Sequence, residues 1–396
     1  MIIFGPFTKQ LCLFSYNTEQ MKNLEEMKWS DVRFDCLYYR GDIPCKPHKT
    51  HGEYCANCNS YKPISKRILI IKLGAIGDVI RTTPLLTRYR ELYPDCHITW
   101  ITQSPAILPK DQVNVILNFD FQGVFKLGAL QFDLAINLDK DIEACHLLDQ
   151  ANATEKIGYI MKDGHVDMAT PAAEAKLLTG SDDRLSKANQ KTYQQEAFEI
   201  CGLEYKGEHY IIPLNEGYAT KWTAEVSKLA EGKKVVGLNT GYGFRWPTRA
   251  WPTETWTELV QQLHSNGYFC VILGGKQEDA FNTQLAASSG AYYPGHYSLE
   301  EFIAVINACD LMVTQVTMAL HLALGLRKKL VLMNNIFNPY EFDLYGLGVI
   351  EGPPAPCQCY FSANCKGGFE RSCMQSITAN QIFTAIEKVF ALPVNA

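Results

Sequence analysis

A carboxylate follows an apolar, Ile-rich segment in the first third of the chain. The segment that begins at Arg67 reads RILIIKLGAIGDVIRTTPLL, in which the apolar run ends at Leu73 and is followed by Gly74, Gly77 and Asp78. Such a run is typical of a parallel strand covered on both faces, and open α/β sheets bind ligands beyond the carboxyl ends of their strands. We therefore expect Asp78 at the start of a helix, where a carboxylate can cap the helix or take a proton from a substrate.

A second set of polar residues follows strands in the second half of the chain. The segment GLNTGYGFRWPTRAWP comes after an apolar strand, a Gly-Gly-Lys sequence comes after the next one, and a threonine precedes a helix that carries a histidine. Amides, hydroxyls and guanidinium groups bind pyrophosphate, and a helix N-terminus favours an anion. The candidate phosphate ligands are Thr240, Gly241, Arg245, Arg249, Lys276, Thr317 and His321.

Each of these features alone has a plainer interpretation. A Gly-Gly-Lys sequence after a strand is often a simple turn, the tryptophans of this region usually pack in a core or a lid, and a histidine on an apolar helix is usually packed among other side chains. Their order and spacing together favour a phosphate site.

Two clusters of cysteines have the composition of metal sites. The first has the spacing C-x2-H-x6-C-x2-C of a tetrahedral zinc knuckle and consists of Cys45, His48, Cys55 and Cys58, with Cys36 and His51 as alternative ligands. The second lies in a segment rich in Gly and Pro and consists of Cys357, Cys359, Cys365 and Cys373. We expect a structural metal ion at one or both clusters, with zinc the default, although an all-sulfur site also accepts iron. Free buried cysteines are the alternative and suit the scattered cysteines better.

The composition excludes several functional classes. The chain has 396 residues, of which 47% are hydrophobic and 20% charged, and its net charge is −5. It therefore lacks the basic field of a nucleic-acid-binding protein, and no apolar run reaches the ~20 residues of a membrane span. The N-terminal segment is a poor signal peptide, so we expect a cytoplasmic protein whose fourteen cysteines are mostly reduced.

Strands and helices alternate from Arg67 onward, and the alternation starts again near Lys233. A further strand ends at Asp139 and Asp141, at the same edge as Asp78. The pattern predicts an α/β protein, and the lack of a G-x-G-x-x-G sequence in the first half argues against a nicotinamide enzyme. The predicted divisions are a cysteine-rich metal-binding extension (1–65), two sheet domains (66–215 and 216–374) and a C-terminal helix (375–396) with the option of packing back on the first domain.

From about residue 67 to 390 the chain resembles the ADP-heptose:lipopolysaccharide heptosyltransferases, which form glycosyltransferase family 9. The family's opening pattern, a strand followed by G-D and a T-x-P-x-L helix, resembles Gly77-Asp78 and Thr82-Thr83-Pro84-Leu85-Leu86. Its R-W-P loop resembles Arg245-Trp246-Pro247 or Arg249-Ala250-Trp251-Pro252. Its D-T-G-x-x-H motif resembles the segment Val316–His321, in which Val316 and Met318 replace the family's Asp and Gly.

The resemblance implies a GT-B fold, in which two Rossmann-like domains face each other. The first domain would hold the acceptor, with Gly77 and Arg81 nearby, and the second would hold the donor. The resemblance also implies an inverting reaction without a catalytic metal, in which Asp78 is the general base. The family's Asp is thought to bind hydroxyls of the donor sugar, so Val316 leaves the identity of that sugar open.

The partners follow from the same resemblance. ADP-heptose is the favoured nucleotide-diphosphate donor, and the acceptor is a lipopolysaccharide core, another lipid-linked glycan or a protein serine. Peripheral membrane contact at the inner face of the inner membrane stays open. The second cysteine cluster resembles the iron site of the autotransporter heptosyltransferases, a branch of this family. The alternatives are a sugar-nucleotide epimerase of GT-B fold, which needs no separate acceptor, and a non-catalytic, metal-stabilised relative of the transferases.

Overall fold

The computed structural model describes residues 28–243, 245–355, 357, 359–366 and 373–393. The chain divides into two compact units, Met1–Ile64 and Ser65–Ala396. In the first unit, helix α1 (Lys46–His51) begins with a proline in its first turn and ends at Gly52, which adopts a left-handed conformation with a φ of 69°. Proline is tolerated in the first turn because the N–H groups there have no helical partner, and glycine adopts the left-handed conformation without strain.

The first half of the second unit is built on a six-stranded sheet. Its strands are β1 (Arg67–Ile71), β2 (His97–Thr102), β3 (Val115–Asn118), β4 (Phe132–Asn137), β5 (Ala153–Lys162) and β6 (His165–Met168). They lie in the order β3-β2-β1-β4-β5-β6, and all neighbours are parallel except β5 and β6. The helices are α2 (Ile76–Ile80), α3 (Pro84–Leu92), α4 (Phe121–Gly128), α5 (Ile142–Gln150), α6 (Glu174–Ser181), α7 (Asp183–Ala188) and α8 (Tyr193–Ile200).

Strand β1 is covered on both faces. Leu69 and Ile71 share a core cluster with residues of α4 and α5, whereas Ile68 and Ile70 share a core cluster with residues of α2 and α3. All four side chains are fully buried. Successive side chains of a strand point to opposite faces, so an uninterrupted apolar run supplies both cores.

The second half has a five-stranded parallel sheet in which the first strand of the half lies second from one edge. Its strands are β7 (Val235–Asn239), β8 (Phe269–Leu273), β9 (Leu311–Gln315), β10 (Lys329–Met333) and β11 (Gly348–Glu351). They lie in the order β11-β10-β9-β7-β8. The helices are α9 (Glu216–Ala230), α10 (Thr253–Ser265), α11 (Asp279–Ser289), α12 (Leu299–Asn307), α13 (Met318–Gly325) and α14 (Ala379–Ala391).

The C-terminal helix α14 covers the second sheet. It packs against α10, β10 and β11, and Ile382, Ile386 and Val389 on its inner face are fully buried. The sequence allowed this helix to pack on the first domain. The structure instead places its apolar side chains in the core of the second half. Among the residues that the structure describes, every helix is too short or too polar to span a bilayer.

The predicted α/β fold with two parallel-sheet domains is confirmed. Strand β5 is the main element that the sequence pattern does not predict, because residues 150–195 are polar and show few strong periodic signals. Only Ile157–Tyr159 are buried and the residues on either side are half-buried or exposed, so the sequence ATEKIGYIMK has no continuous apolar run. Partial burial therefore hid a strand that extends the parallel sheet beyond β4.

Candidate functional site

The turn after β1 is fixed by a carboxylate from the end of β4. Oδ2 of Asp139 accepts hydrogen bonds from the backbone N–H groups of Leu73 and Gly74, and Oδ1 pairs with the ammonium of Lys72. A Cβ added to Gly74 would lie 3.2 Å from Oδ1 of Asp139 and 3.7 Å from Oδ2 of Asp78. The carboxylates of Asp139 and Asp78 therefore flank the same glycine, and Asp139 holds the segment that presents Asp78.

Asp78 lies in the first turn of α2 and is paired with Arg81. The Nε and Nη2 atoms of Arg81 contact Oδ1 of Asp78 at 3.0 Å and 2.8 Å, and no described residue donates a hydrogen bond to Oδ2. The Asp78 side chain is 38% exposed. Burial raises the pKa of Asp78, but the charges of Arg81 and Lys72 outweigh it and hold the pKa below its ordinary value. The carboxylate is therefore ionised at neutral pH, and Oδ2 is available to a substrate hydroxyl.

Arg81 also joins the two halves of the second unit. Its Nη1 lies 2.8 Å from Oε1 of Glu341, and its guanidinium carbon lies 3.9 Å from the ring centre of Tyr193 in α8. The side chains of Arg81 and Glu341 are 13% and 18% exposed. The family resemblance predicts Arg81 near the acceptor. In the structure its charge is already shared between two carboxylates, so its direct effect is to orient Asp78.

Helices α2 and α13 meet at a glycine. A Cβ on Gly77 would lie 2.6 Å from Cδ2 of His321, closer than side chains pack, so the imidazole approaches this position only because the residue is glycine. His321 is buried, and its Nδ1 has no hydrogen-bond partner among the described residues. Burial and the charge of Arg81 lower the pKa of His321 to about 3. A neutral imidazole whose Nδ1 has no described partner therefore lies beside the helix that carries Asp78.

Arg249 joins the loop after β7 to the start of α13. Its Nη1 donates to the carbonyl of Val316 and its Nη2 donates to the carbonyl of Tyr242. Its side chain is buried, its Nε has no partner, and no carboxylate pairs with it among the described residues. Burial lowers the pKa of Arg249 to about 10, which still leaves the group charged at neutral pH. A buried cation without an anion is unfavourable unless a ligand supplies the anion.

Hydroxyl and amide groups line the same edge of the second sheet. Nδ2 of Asn239 donates to Oγ1 of Thr314 at 3.1 Å and to Oγ1 of Thr317 at 3.3 Å, and Oγ1 of Thr240 donates to Asn282. Thr317 is the residue before α13, and its side chain makes no capping hydrogen bond. The first N–H groups of α13 are therefore available to an anion.

Several buried polar atoms at this edge have no partner among the described residues. They are both side-chain polar atoms of Gln315, Oγ1 of Thr248, Nε of Arg249 and Nδ1 of His321. Buried polar groups in folded proteins are nearly always hydrogen-bonded, so a cluster of unpaired ones is typical of a site that a ligand completes. Thr248 was not a sequence candidate, because it lies further along the loop and neither follows a strand directly, as Thr240 does, nor precedes a helix with a histidine, as Thr317 does.

Three of the predicted donor ligands lie elsewhere on the loops. Arg245 is exposed, and its guanidinium carbon lies 5.1 Å from the ring centre of Trp246. Lys276 is exposed at the end of β8, and Gly241 lies next to Glu278. Of the two R-W-P-like alternatives, the structure places Arg249 beside Thr317 and leaves Arg245 on the surface.

The structure adds residues that the sequence analysis did not assign to the site. Tyr193 lies beneath Arg81, and Lys72 pairs with Asp139 under the turn. Lys72 carried a usable signal, since a lysine inside an Ile-rich strand must find a buried counter-ion. Tyr193 and Glu341 are distant in sequence from Asp78, so no local pattern connects them with it.

The thiols of the C-terminal cluster lie together. Burial is the main cause that raises the pKa of Cys357, and the nearby thiols of Cys373 and Cys359 add to it; the Cys365 thiol likewise lies near Cys359. Backbone N–H groups also donate to sulfur, from Cys359 to Cys357 at 3.3 Å and from Lys366 to Cys359 at 3.1 Å. Such N–H donors favour thiolates. Even so, no three His, Cys, Asp or Glu residues of the described part are arranged as a metal-binding group.

The N-terminal cluster surrounds a cavity of about 390 Å³ within the first unit. The cavity is lined by Cys36, Cys45, His48, Cys55 and Cys58. Nδ1 of His48 lies 2.9 Å from the carbonyl oxygen of Glu53, which leaves Nε2 for another partner, as in many metal-binding histidines. The donor set thus fits the predicted site, although the described residues form no metal-binding group here either.

Comparison with known proteins agrees with this architecture. The sequence profile of glycosyltransferase family 9 (heptosyltransferase) matches residues 124–346. Lipooligosaccharide heptosyltransferase 2 of Haemophilus influenzae is 20% identical over 308 residues, which cover 69% of this chain and 84% of that protein.

Solved structures show the same fold. The family 9 glycosyltransferase of Veillonella parvula has a TM-score of 0.62 at 16% identity, and the match covers 82% of this chain and 97% of that one. An Escherichia coli heptosyltransferase solved with ADP-2-deoxy-2-fluoro heptose has a TM-score of 0.55 at 16% identity, and the match covers 81% and 99% of the two chains. These likenesses confirm the predicted GT-B fold. Because the family profile spans more than half of the sequence, the chain belongs to glycosyltransferase family 9.

Proposed function

We propose that this protein is an inverting glycosyltransferase that uses Asp78 as its general base. It moves a sugar, with heptose favoured, from a nucleotide-diphosphate donor to a lipopolysaccharide-type or other cell-surface acceptor. The observation that carries the proposal is the contact between Gly77 and His321, since it brings the base helix of one half against the anion-binding edge of the other. A lipid-linked acceptor would place the reaction at the inner face of the inner membrane.

The reaction forms one bond and breaks one. The acceptor oxygen attacks the anomeric carbon from the side opposite the diphosphate, the bond between that carbon and the diphosphate oxygen breaks, and Oδ2 of Asp78 takes the hydroxyl proton. Because both Arg81 contacts are made to Oδ1, Arg81 fixes the carboxylate without covering the accepting oxygen. The low pKa makes Asp78 a weak base, so its contribution is mainly orientation.

The leaving diphosphate would be bound at the second sheet. Arg249 supplies a buried positive charge, the N–H groups at the start of α13 supply a partial positive charge, and Nδ1 of neutral His321, which has no partner among the described residues, would donate a hydrogen bond to the diphosphate. These groups stabilise the charge that develops as the diphosphate leaves. The E. coli structure with an ADP-heptose analogue supports ADP-heptose as the first donor to test.

A matched pair of variants tests the role of Asp78. D78N removes the base and keeps the shape, whereas D141N changes an exposed aspartate at the same edge of the first sheet. With ADP-heptose and a lipopolysaccharide inner-core acceptor, we expect D78N to lower kcat by about 10²- to 10⁴-fold and D141N to stay near wild type. ADP affinity should be unchanged in both. Normal ADP release by D78N would refute the mechanism, and isomerisation of the nucleotide sugar without ADP release would favour the epimerase.

We also propose that the cysteine clusters hold structural metal ions. Cys357, Cys359, Cys365 and Cys373 would bind zinc or iron as thiolates, and Cys45, His48, Cys55 and Cys58 would bind zinc. The backbone N–H groups that donate to the sulfurs of Cys357 and Cys359, and the cavity that the N-terminal cysteines share with His48, support this proposal. A bound metal would cross-link loops that have little regular structure and so stabilise the fold.

Elemental analysis of the purified protein tests the metal proposal. We expect about two metal ions per chain in the wild type, about one in C373S and about one in C58S. The buried Cys270 provides a control, since C270S should keep the full metal content. Wild-type protein without bound metal after purification in metal-containing buffer would contradict the proposal.

A further inference from the structure

A small cavity of about 170 Å³ lies beside the turn that carries Asp78. Its lining includes three lysines (Lys72, Lys140 and Lys176), two carboxylates (Asp139 and Glu196) and two tyrosine rings (Tyr159 and Tyr193). None of these residues belongs to the donor edge of the second sheet. The cavity is therefore separate from the site proposed for the diphosphate.

The charges that line this cavity do not balance. Lys72 pairs with Asp139, and Lys176 pairs with Glu196. Lys140 has no carboxylate partner among the described residues, and its ammonium donates to the backbone carbonyl of Lys176 at 2.6 Å. Three ammonium groups against two carboxylates leave one positive charge at the cavity.

Packing holds the unpaired ammonium in place. A Cβ on Gly180 of α6 would lie 2.4 Å from Nζ of Lys140, so the glycine lets the helix approach the lysine this closely. Burial and the charge of Lys176 lower the pKa of Lys140 to about 8. An anion in the cavity would offset both effects by pairing with Lys140.

The cavity lies next to the proposed base. Asp139 lines it and also flanks Gly74 together with Asp78. The basic residues of the first helices are not alternatives, because Arg88 pairs with Glu91 and Glu208, and Arg90 donates to backbone carbonyls and Asn114. Among the described lysines that line this cavity, Lys140 is thus the one without a carboxylate partner.

We propose that this cavity is an acceptor subsite for an anionic group, a phosphate or a carboxylate, which Lys140 and Lys176 bind while a hydroxyl of the same molecule reaches Asp78. The identification of the ligand as the acceptor rests on the proposed function. The existence of an anion site does not, since it follows from the lining charges alone.

Titration with inorganic phosphate tests the site without knowledge of the acceptor. The full-length protein is first saturated with ADP, so that phosphate cannot report on the donor edge, and binding is then measured by calorimetry and by the shift in Tm. We expect wild type and K110M, which changes an exposed lysine, to bind phosphate alike. K140M and K176M should bind at least tenfold more weakly, and K140R should keep most of the affinity.

The outcomes separate the parts of the proposal. Equal phosphate affinity of folded K140M and wild type would overturn it, as would no binding by wild type at tens of millimolar phosphate. A parallel titration with acetate distinguishes a carboxylate from a phosphate ligand, because the preferred anion gives the larger shift. If D78N keeps full transferase activity while K140M loses phosphate, the proposed function fails and the anion site stands.

Discussion

Substitution of Gly77 by alanine tests the contact between the two halves of the second unit. The added Cβ would lie 2.6 Å from Cδ2 of His321, and ordinary contacts begin near 3.4 Å, so the imidazole or the helix must move by about 0.8 Å. Over-packing of this kind destabilises by about 1–3 kcal/mol, whereas alanine in a helix gains about 0.5–1 kcal/mol over glycine. The clash outweighs the gain, so we expect a net loss of about 1–2 kcal/mol.

The assay compares G77A with a substitution at a glycine whose surroundings leave space for a Cβ atom. Gly128 ends α4 with no atom within 4 Å of an added Cβ, so G128A should be neutral or slightly stabilising. We expect G77A to lower Tm by a few degrees and to weaken ADP binding measured by calorimetry, because it displaces His321. The double variant G77A/H321A should recover part of the lost stability, since the clash disappears. A G77A protein with wild-type Tm and ADP affinity would refute the reasoning.

Three further predictions follow from the same contacts. E341Q leaves the guanidinium of Arg81 with a single carboxylate partner and should lower the free energy of unfolding by about 1–3 kcal/mol in denaturant titrations. E91Q changes a half-exposed ion pair and should lower it by less than about 1 kcal/mol. R249K keeps a charge but loses one of the two carbonyl contacts, so ADP should bind several-fold more weakly. R245K changes an exposed arginine and is the control. An equal loss of ADP affinity in both variants would contradict the assignment of Arg249 alone to the donor. The pKa of His321 is lowered to about 3, so the stability that its neutral form contributes is complete above about pH 6.5 and shrinks as pH falls toward 3. Between pH 7 and 5 the free energy of unfolding should therefore fall by about 2 kcal/mol more in wild type than in H321N. Parallel curves of stability against pH would contradict this.

The sequence predicted those parts of the site that lie within one continuous segment. Strand β1, the glycine turn and Asp78 follow one another along the chain, so the apolar run and the turn residues locate the carboxylate by themselves. The pairing of Arg81 with Glu341 joins positions far apart in sequence, and neither residue type reveals its partner. Contacts of this kind depend on how the two sheets pack, which local patterns do not encode.

Burial decided between candidates that looked alike in sequence. Arg245 and Arg249 occupy equivalent places in two overlapping patterns, and only the folded loop shows that Arg249 points inward to the carbonyl of Val316. The same applies to Lys140, whose neighbours come from three separate segments. The polar sequence around Lys140 predicts a solvent-exposed side chain, and only the folded structure shows that helix α6 covers it.

The enclosure of the Arg81 bridge has a consequence for the response of the protein to ionic strength. Mobile ions screen charges that face bulk water, and they act much less on pairs that are mostly enclosed by protein. Because Arg81 and Glu341 are 13% and 18% exposed, raising the salt concentration from about 0.1 M to 1 M should scarcely loosen this link between the halves. Ions that compete at the half-exposed Asp78 would meet a guanidinium that a second carboxylate already holds in place.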